Sequence, residues 1–295
     1  MNLPPEFKEK VRIAILKDRE NYGGSDAAYS KTLGINAAAF SRIKSGETER
    51  ILSDTNWLNI GRRLEVELRS NNWRVAKTVV YSEIEDNLNE CQATSQSMIL
   101  VDDCGIGKTF CAKHIIIRLK NGFYIDCSQA KTRIHFVRLL ARTLGVDDNG
   151  KHYEVKANIK YALSVLEKPL IVLDEGGDLE YSTLMIIKEL WNASEGNVGW
   201  YMMGADGLKA KMKKGINNHK VGFAELFSRF SEKFITLTPN GIDDRRSFYT
   251  QLIGDVASAN SVTKNINKLV NQCYDRTENK HRSLRHLKTL IQIQA

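Results

Sequence analysis

One short stretch of the chain, Ser97 to Phe110, constrains the fold more than any other. It reads SMILVDDCGIGKTF, an apolar run followed by two closely spaced glycines and then by Lys108 and Thr109. The apolar run predicts a buried β-strand, and the glycines allow the backbone to turn sharply. A strand that leads through such a loop into a helix is typical of parallel α/β proteins. The sequence therefore predicts an α/β domain built around this turn.

Short apolar segments alternate with longer helical segments through the middle of the chain. The predicted strands are SMILVDD, GFYIDC, PLIVLDE, VGWYMMGA and KFITLTP. The main helices predicted between them cover residues 108–120, 131–144, 155–167 and 179–195. This alternation predicts a parallel five-stranded sheet with helices on both faces. After Pro239 the pattern favours helices only, which predicts a small helical lid.

The glycine loop has the composition of a phosphate-binding loop. Backbone N–H groups at a helix N-terminus attract anions. We therefore expect a nucleotide to contact Asp103, Cys104, Gly105, Ile106, Gly107, Lys108, Thr109 and Phe110. Lys108 can reach the β- and γ-phosphates, and the Thr109 hydroxyl can bind Mg²⁺. Asp102 stands where the G-x-x-x-x-G-K-[ST] pattern begins with glycine, so its charge must turn away from the phosphates. The predicted ligands are ATP and Mg²⁺.

A second acidic motif follows another apolar run. LIVLDE places Asp174 and Glu175 directly after a predicted strand, at the carboxyl edge of the sheet. Ligands of open α/β sheets bind at that edge. Asp174 is predicted to hold Mg²⁺, directly or through water, and Glu175 to act as the base that polarises the attacking water. The two motifs together predict an ATPase.

The first 64 residues predict a separate all-helical domain. Ser25, Asn36 and Ser53 are predicted helix N-caps, and Gly34 supplies a left-handed turn between two short helices. The segment resembles the repressor-like helix-turn-helix class. Its predicted packing residues are Tyr29, Leu33, Ile35, Phe40 and Ile43. If the third helix reads DNA, the contacts are expected from Asn36, Ser41, Arg42 and Lys44. A helical module that binds protein remains an alternative, because Lys and Arg nearly balance Asp and Glu over residues 1–60.

The charge distribution and the composition indicate which binding partners and which cellular compartment to expect. Lys and Arg outnumber Asp and Glu by 16 to 8 in residues 200–295, while the rest of the chain is nearly neutral. A basic segment of this kind favours a polyanion such as nucleic acid. The sequence has no long apolar run for a membrane span and no secretory signal at MNLPPEFKEK, so we expect a cytoplasmic protein without a membrane partner. The expected domain boundaries are 1–64 for the helix-turn-helix, 65–80 for a linker, 81–240 for the α/β domain and 241–295 for the lid.

Taken together, the helix-turn-helix, WRVAKTVV, GIGKT, LIVLDE, SRF and the helical C-terminus resemble the MuB/TnsC-like AAA+ regulators of DNA transposition. The resemblance implies an AAA+ P-loop NTPase that forms an ATP-dependent homo-oligomer or helical filament on double-stranded DNA. It further implies selection of target DNA, activation of a transposase, and disassembly by ATP hydrolysis.

The resemblance also assigns individual residues. Arg229 corresponds to an arginine finger offered to a neighbouring subunit, and Arg285 to a sensor arginine in the lid. Both would stabilise charge on the transferring phosphoryl group. DNA contacts are implied for Lys131, Thr132 and Arg133, with Lys209, Lys211, Lys213 and Lys214 as a second candidate cluster. Ala205 stands where such proteins keep a polar first sensor, which implies slow intrinsic hydrolysis.

Three other functions remain open at the level of the sequence. The first is a helicase loader or replication-initiator ATPase of related fold. The second is a nucleotide-gated transcription regulator whose helix-turn-helix reads an operator. The third is a scaffold that binds ATP without hydrolysing it.

Overall fold

The computed structural model describes residues 3–64, 66, 73–260, 265–275, 280–281 and 283–294. These residues divide into two compact units. One contains the N-terminal residues up to 66, with Gly145–Asp147 grouped with it, and the other contains the remainder from Trp73 onward.

The N-terminal unit is a set of short helices around its own core. The helices are α1 (Pro5–Glu20), α2 (Asp26–Thr32), α3 (Ala37–Lys44) and α4 (Asp54–Arg63). The side chains of Ser25, Asn36 and Ser53 accept hydrogen bonds from the first turns of α2, α3 and α4, as the sequence predicts. Gly34 has a φ of +71°, which only glycine adopts without strain. The predicted packing residues are all buried in this unit, together with Trp57 and Ile60.

The larger unit contains a five-stranded parallel sheet. Its strands are β1 (Ser97–Val101), β2 (Gly122–Asp126), β3 (Leu170–Asp174), β4 (Gly199–Gly204) and β5 (Phe234–Ile235), in the order β2-β3-β4-β1-β5. β3 and β4 are buried along their whole length because helices cover both faces. β1 lies between β4 and β5, with Val101 opposite Gly204. The loops that follow β1, β3 and β4 therefore share one edge of the sheet.

Helices connect the strands and continue beyond the sheet. They are α5 (Val79–Thr94), α6 (Lys108–Ile116), α7 (Arg133–Leu144), α8 (His152–Val165), α9 (Tyr181–Ala193), α10 (Asp206–Asn217), α11 (Phe223–Arg229), α12 (Ile242–Asn260), α13 (Ile266–Gln272) and α14 (Leu284–Gln294). α5 begins inside the predicted linker, because the Thr78 side chain caps it. α10 and α11 were not predicted; α10 buries Leu208, Met212 and Gly215 on one face.

The C-terminal part departs from the prediction of helices only. Two short strands, β6 (Tyr274–Asp275) and β7 (Lys280–His281), pair antiparallel between α13 and α14. Strands of two residues carry no detectable alternation of apolar and polar residues, so periodicity cannot find them. α12 links the sheet to this region: Tyr249 and Leu252 pack with the core of the sheet, while Ile253 and Val256 pack with α13 and α14.

Candidate nucleotide-binding site

The glycine loop between β1 and α6 has the conformation of a phosphate-binding loop. Gly105 and Gly107 have φ values of +79° and +103°, both in the left-handed region. α6 begins at Lys108, so the N–H groups of its first turn face the loop without intrahelical partners. Ile106 is buried and anchors the middle of the loop. The loop can therefore surround an anion with backbone donors.

Asp102 occupies the glycine position of the motif without needing a glycine conformation, since its φ is not positive. Its side chain is 4% exposed and points toward the segment that follows β5. The carboxylate accepts hydrogen bonds from the N–H groups of Leu237 and Thr238, at 2.5 and 2.9 Å, and from the Thr238 hydroxyl. It also accepts a hydrogen bond from the Asp103 N–H at 2.7 Å, so three of the four donors to this carboxylate lie outside the phosphate loop.

Lys108 lies across the loop and is 9% exposed. Its Nζ donates hydrogen bonds to the backbone carbonyls of Asp102 and Asp103, at 2.8 and 2.7 Å. Burial lowers the pKa of this ammonium group, and the negative charges of Asp102, Asp174 and Glu175 oppose that effect. The side chain is thus held where a phosphate could replace two carbonyls as its partner.

Asp174 and Glu175 end β3 at the same edge of the sheet. Asp174 is 2% exposed, and its carboxylate accepts hydrogen bonds from the Tyr124 hydroxyl at 2.7 Å and the Glu175 N–H at 2.8 Å. Glu175 has a φ of +51°, a strained conformation for a residue with a side chain. Partial burial and the charge of Asp174 raise the pKa of the Glu175 carboxyl. Asp174 is rigidly held, whereas Glu175 projects to the surface.

Arg229 lies away from the phosphate loop of its own chain. Its guanidinium donates hydrogen bonds to the Asn192 side chain and the Glu225 carbonyl, and it lies over the Trp191 ring. Trp191 in turn donates to the Ser97 hydroxyl at 2.8 Å, at the beginning of β1. The phosphate loop follows the other end of β1, roughly 13 Å along the strand. Arg229 is therefore unsuited to act on a nucleotide bound by its own subunit.

Arg285, by contrast, lies next to the loop. It is an exposed residue in the first turn of α14, whose first residue, Leu284, donates its N–H to the Gly105 carbonyl at 3.0 Å. Ser283 packs so closely on Gly105 that a β-carbon there would lie 2.3 Å from the serine Cβ. The start of α14 thus rests directly on the phosphate loop.

Ala205 follows β4 and brings no polar side chain to this edge of the sheet. It is the residue before α10, and Gly204 accepts a backbone hydrogen bond from Asp102. The position next to the phosphate loop that a polar sensor would use is therefore apolar.

Sequence reasoning missed the contacts that surround Asp103. Its carboxylate accepts hydrogen bonds from the Arg245 guanidinium and the Tyr249 hydroxyl, both on α12. Tyr124 and Thr238, the partners of Asp174 and Asp102, were also missed. The polar pairs lie 50 or more residues apart in the chain, so no local pattern could indicate them.

The basic residues predicted to contact DNA differ in whether their side chains already form contacts within the chain. Lys131 forms an ion pair with Asp178 at 2.8 Å, and the Thr132 hydroxyl lies 3.2 Å from His135 Nδ1. Arg133 is exposed at the start of α7 and has no ion pair within the described part of the chain. In the second cluster, Lys211 donates to the carbonyls of Gly177 and Leu179. Lys209 lies over the Phe234 ring, and Lys213 and Lys214 are exposed.

The predicted recognition helix of the N-terminal unit is largely neutralised. Arg42 pairs with Glu47 and Lys44 with Asp26, each at 2.7 Å. Asn36 uses its side-chain oxygen to cap α3, and Ser41 is exposed. These pairs are surface contacts that a phosphate could displace, but they leave α3 without a net positive face.

Comparisons with known proteins support the fold. A family model described as an AAA domain matches residues 91–212. The structure of the ORC1 protein of Aeropyrum pernix in complex with DNA is similar, with a TM-score of 0.51 and 14% identity over 73% of this chain. The match spans only 58% of the ORC1 chain, which is therefore considerably longer than the part that aligns. The parallel five-stranded sheet, the AAA domain match and this likeness confirm the predicted AAA+ P-loop fold.

A second similar structure is NtrX of Brucella abortus in complex with ATP, with a TM-score of 0.42 and 14% identity. That match covers 88% of this chain and 59% of NtrX. No curated protein sequence matches the chain. Within the described residues, no helix is long and apolar enough to cross a bilayer.

Proposed function

We propose that this chain is a Mg²⁺-dependent ATPase that assembles on double-stranded DNA, selects target DNA and activates a transposase, with hydrolysis driving disassembly. One observation carries the proposal. A glycine loop with a buried lysine, an acidic pair after β3 and the start of a lid helix all lie at one edge of the sheet. The loop, the lysine and the acidic pair are parts that phosphoryl transfer to water requires.

The acidic pair suits magnesium and a general base. Two carboxylate oxygens offer about four acceptor sites, and protein donors use two of those of Asp174. The remaining sites and the Thr109 hydroxyl can supply oxygen ligands, which Mg²⁺ prefers. No cluster of three or more His, Cys, Asp or Glu side chains suited to a metal occurs in the described residues. The remaining ligands would therefore be phosphate and water. Mg²⁺ would neutralise phosphate charge, while Glu175 accepts the proton of the attacking water.

The location of Arg229 supports action between subunits. Because it lies near the beginning of β1, it can reach only the nucleotide of a neighbouring copy. Each complete site then requires two subunits, so ATP binding would favour the oligomer. Ala205 supports slow hydrolysis until a partner acts, since no polar side chain at that position orients the water.

DNA contact is proposed for the exposed basic residues of the larger unit. Arg133, Lys213 and Lys214 have no ion pairs in the described structure and can meet phosphates without displacing a carboxylate. Such contacts carry charge but little sequence information. The ORC1 protein, which shares the fold, was solved with DNA, so DNA binding is compatible with this architecture.

Electron microscopy with random duplex DNA, with and without ATP, tests the whole proposal. We expect filaments only with ATP, filaments that persist in Glu175→Gln, and none in Lys108→Ala. Rings that form without DNA and load a helicase would favour the helicase-loader alternative. Discrete particles at one DNA sequence would favour the operator-reading regulator.

Measurements of ATP turnover distinguish an ATPase from a scaffold that binds ATP without hydrolysing it. We expect DNA and the partner transposase to stimulate phosphate release by the wild-type protein. Glu175→Gln should bind ATP normally and release little phosphate. Unchanged turnover in this variant would refute the base assignment, and ATP binding without turnover in the wild type would favour the scaffold.

A further inference from the structure

The two aspartates of the phosphate loop are joined to the lid through one polar network. Asp102 accepts from Leu237 and Thr238 in the segment that connects β5 to α12. Asp103 accepts from Arg245 and Tyr249, one and two turns into α12. The two aspartates are themselves linked, since the Asp103 N–H donates to the Asp102 carboxylate at 2.7 Å. We call Asp103, Arg245 and Tyr249 the clasp.

The members of the clasp differ in how firmly they are held. Tyr249 is 9% exposed, packs with the core of the sheet, and donates its hydroxyl hydrogen to Asp103. Arg245 is exposed and its guanidinium pairs with Asp103. Exposed ion pairs are weak and exchange partners readily. Tyr249 is thus a fixed element of the clasp, and Arg245 is the element that can move.

Asp103 also holds the loop lysine, because its backbone carbonyl accepts from Lys108 Nζ at 2.7 Å. Asp103 therefore accepts hydrogen bonds from two cationic side chains, from Lys108 through its carbonyl and from Arg245 through its carboxylate. A nucleotide would bring several negative charges against the N–H groups that directly follow Asp103. Phosphate oxygens can accept the same paired, charge-assisted hydrogen bonds from a guanidinium as a carboxylate does. The Asp103 carboxylate is already partly satisfied by the Tyr249 hydroxyl, so phosphate can compete with it for Arg245.

We infer that Arg245 is a nucleotide-binding residue that exchanges partners, pairing with Asp103 when the loop is empty and with nucleotide phosphate when it is filled. The exchange moves the first turn of α12 relative to the loop and so communicates nucleotide binding to the lid. This inference rests on the proposed function, since it requires that the loop binds a nucleotide.

A double-mutant cycle tests the exchange, with ATP affinity measured by fluorescent-nucleotide titration. Asp103→Asn removes the competing charge, so it should tighten ATP binding about fivefold or more, the scale of a typical coupling between sites. Arg245→Gln should weaken binding both alone and in the Asp103→Asn background. Arg246→Gln and Asp244→Asn are matched controls on the same helix and should change affinity little.

Different results would refute the exchange of partners and the proposed function. If Arg245 only neutralises Asp103, Arg245→Gln will have no effect once Asp103 is asparagine, and the exchange is refuted. Unchanged or weaker ATP binding by Asp103→Asn would also refute it. If Asp103→Asn does not fold, Asp103→Ser takes its place in the same cycle. Failure of the wild type itself to bind ATP would instead overturn the proposed function.

Discussion

Asp102 and Thr238 form a close contact between the phosphate loop and the segment after β5. The Asp102 carboxylate accepts from the Thr238 N–H at 2.9 Å and from its hydroxyl at 2.5 Å, and both residues are buried. The aspartate at the glycine position is therefore a structural acceptor that connects two strands of the sheet at their carboxyl ends. Its presence does not argue against a working phosphate loop.

Asp102→Gly should destabilise the protein even though it restores the more usual residue. The substitution leaves the N–H groups of Leu237 and Thr238 without their acceptor, at about 1–3 kcal/mol for each buried group. We expect urea denaturation to show a loss of about 2–4 kcal/mol. Asp102→Asn, which keeps one acceptor oxygen, should lose less. Equal or greater stability of the glycine variant would contradict the structural role.

Lys108→Ala should weaken ATP binding roughly ten- to a hundredfold, the effect of losing a hydrogen bond to a charged group. The reason is that Lys108 is held over the loop only by two carbonyls, which phosphate can replace. Isothermal titration calorimetry measures the affinity. Lys120→Ala, which removes an exposed lysine paired with Glu167, is the matched control. Retained affinity in Lys108→Ala would place the nucleotide elsewhere.

Glu175→Gln should make the nucleotide-free protein more stable at neutral pH. The pKa of Glu175 is raised in the folded state from its ordinary value of 4.5, so the folded form binds the proton more tightly than the unfolded form. The wild type therefore loses stability as pH rises from about 4.5 through the folded pKa. Thermal melts across pH 4–8 should show a higher Tm for Glu175→Gln above this window and similar values below it. A difference that does not change with pH would argue against ionisation as the cause.

Arg229→Ala should bind ATP normally but lose hydrolysis, because the proposed partner of Arg229 is the nucleotide of a neighbouring subunit. Mixing Arg229→Ala with Lys108→Ala should restore part of the activity. The mixed interface combines an intact phosphate loop from one subunit with an intact arginine from the other. Turnover of each variant alone is the baseline for the mixture. No recovery in mixtures that demonstrably co-assemble would contradict action in trans.

Arg133→Ala should weaken DNA binding at all sequences and reduce the slope of log affinity against log salt by about one. Lys131→Ala should have a smaller effect, because Lys131 already pairs with Asp178. Fluorescence anisotropy with random duplexes at several salt concentrations measures both. Removing residues 1–64 should leave this binding largely intact. Its loss on truncation would instead make the helix-turn-helix the main DNA contact.

Much of the architecture was predictable because it depends on neighbouring residues. Apolar runs indicated β1, β2, β3 and β4, and the caps Ser25, Asn36 and Ser53 lie where their helices begin. The left-handed glycines of the phosphate loop follow from the motif itself. α10 escaped prediction although its buried residues have helical spacing, and β5 is shorter than its apolar run because only two residues pair with β1.

The sequence by itself therefore determined the order of the strands along the chain, the phosphate loop and the acidic pair after β3. Only the tertiary structure decided the direction of the Asp102 side chain, the partners of Asp103 and the location of Arg229. It also decided which basic residues form ion pairs. Lys131, Arg42 and Lys44 pair with carboxylates that no sequence motif associates with them. The physical reason is distance along the chain. Backbone conformation follows from adjacent residues, whereas the partner of a charged side chain depends on which elements folding brings together.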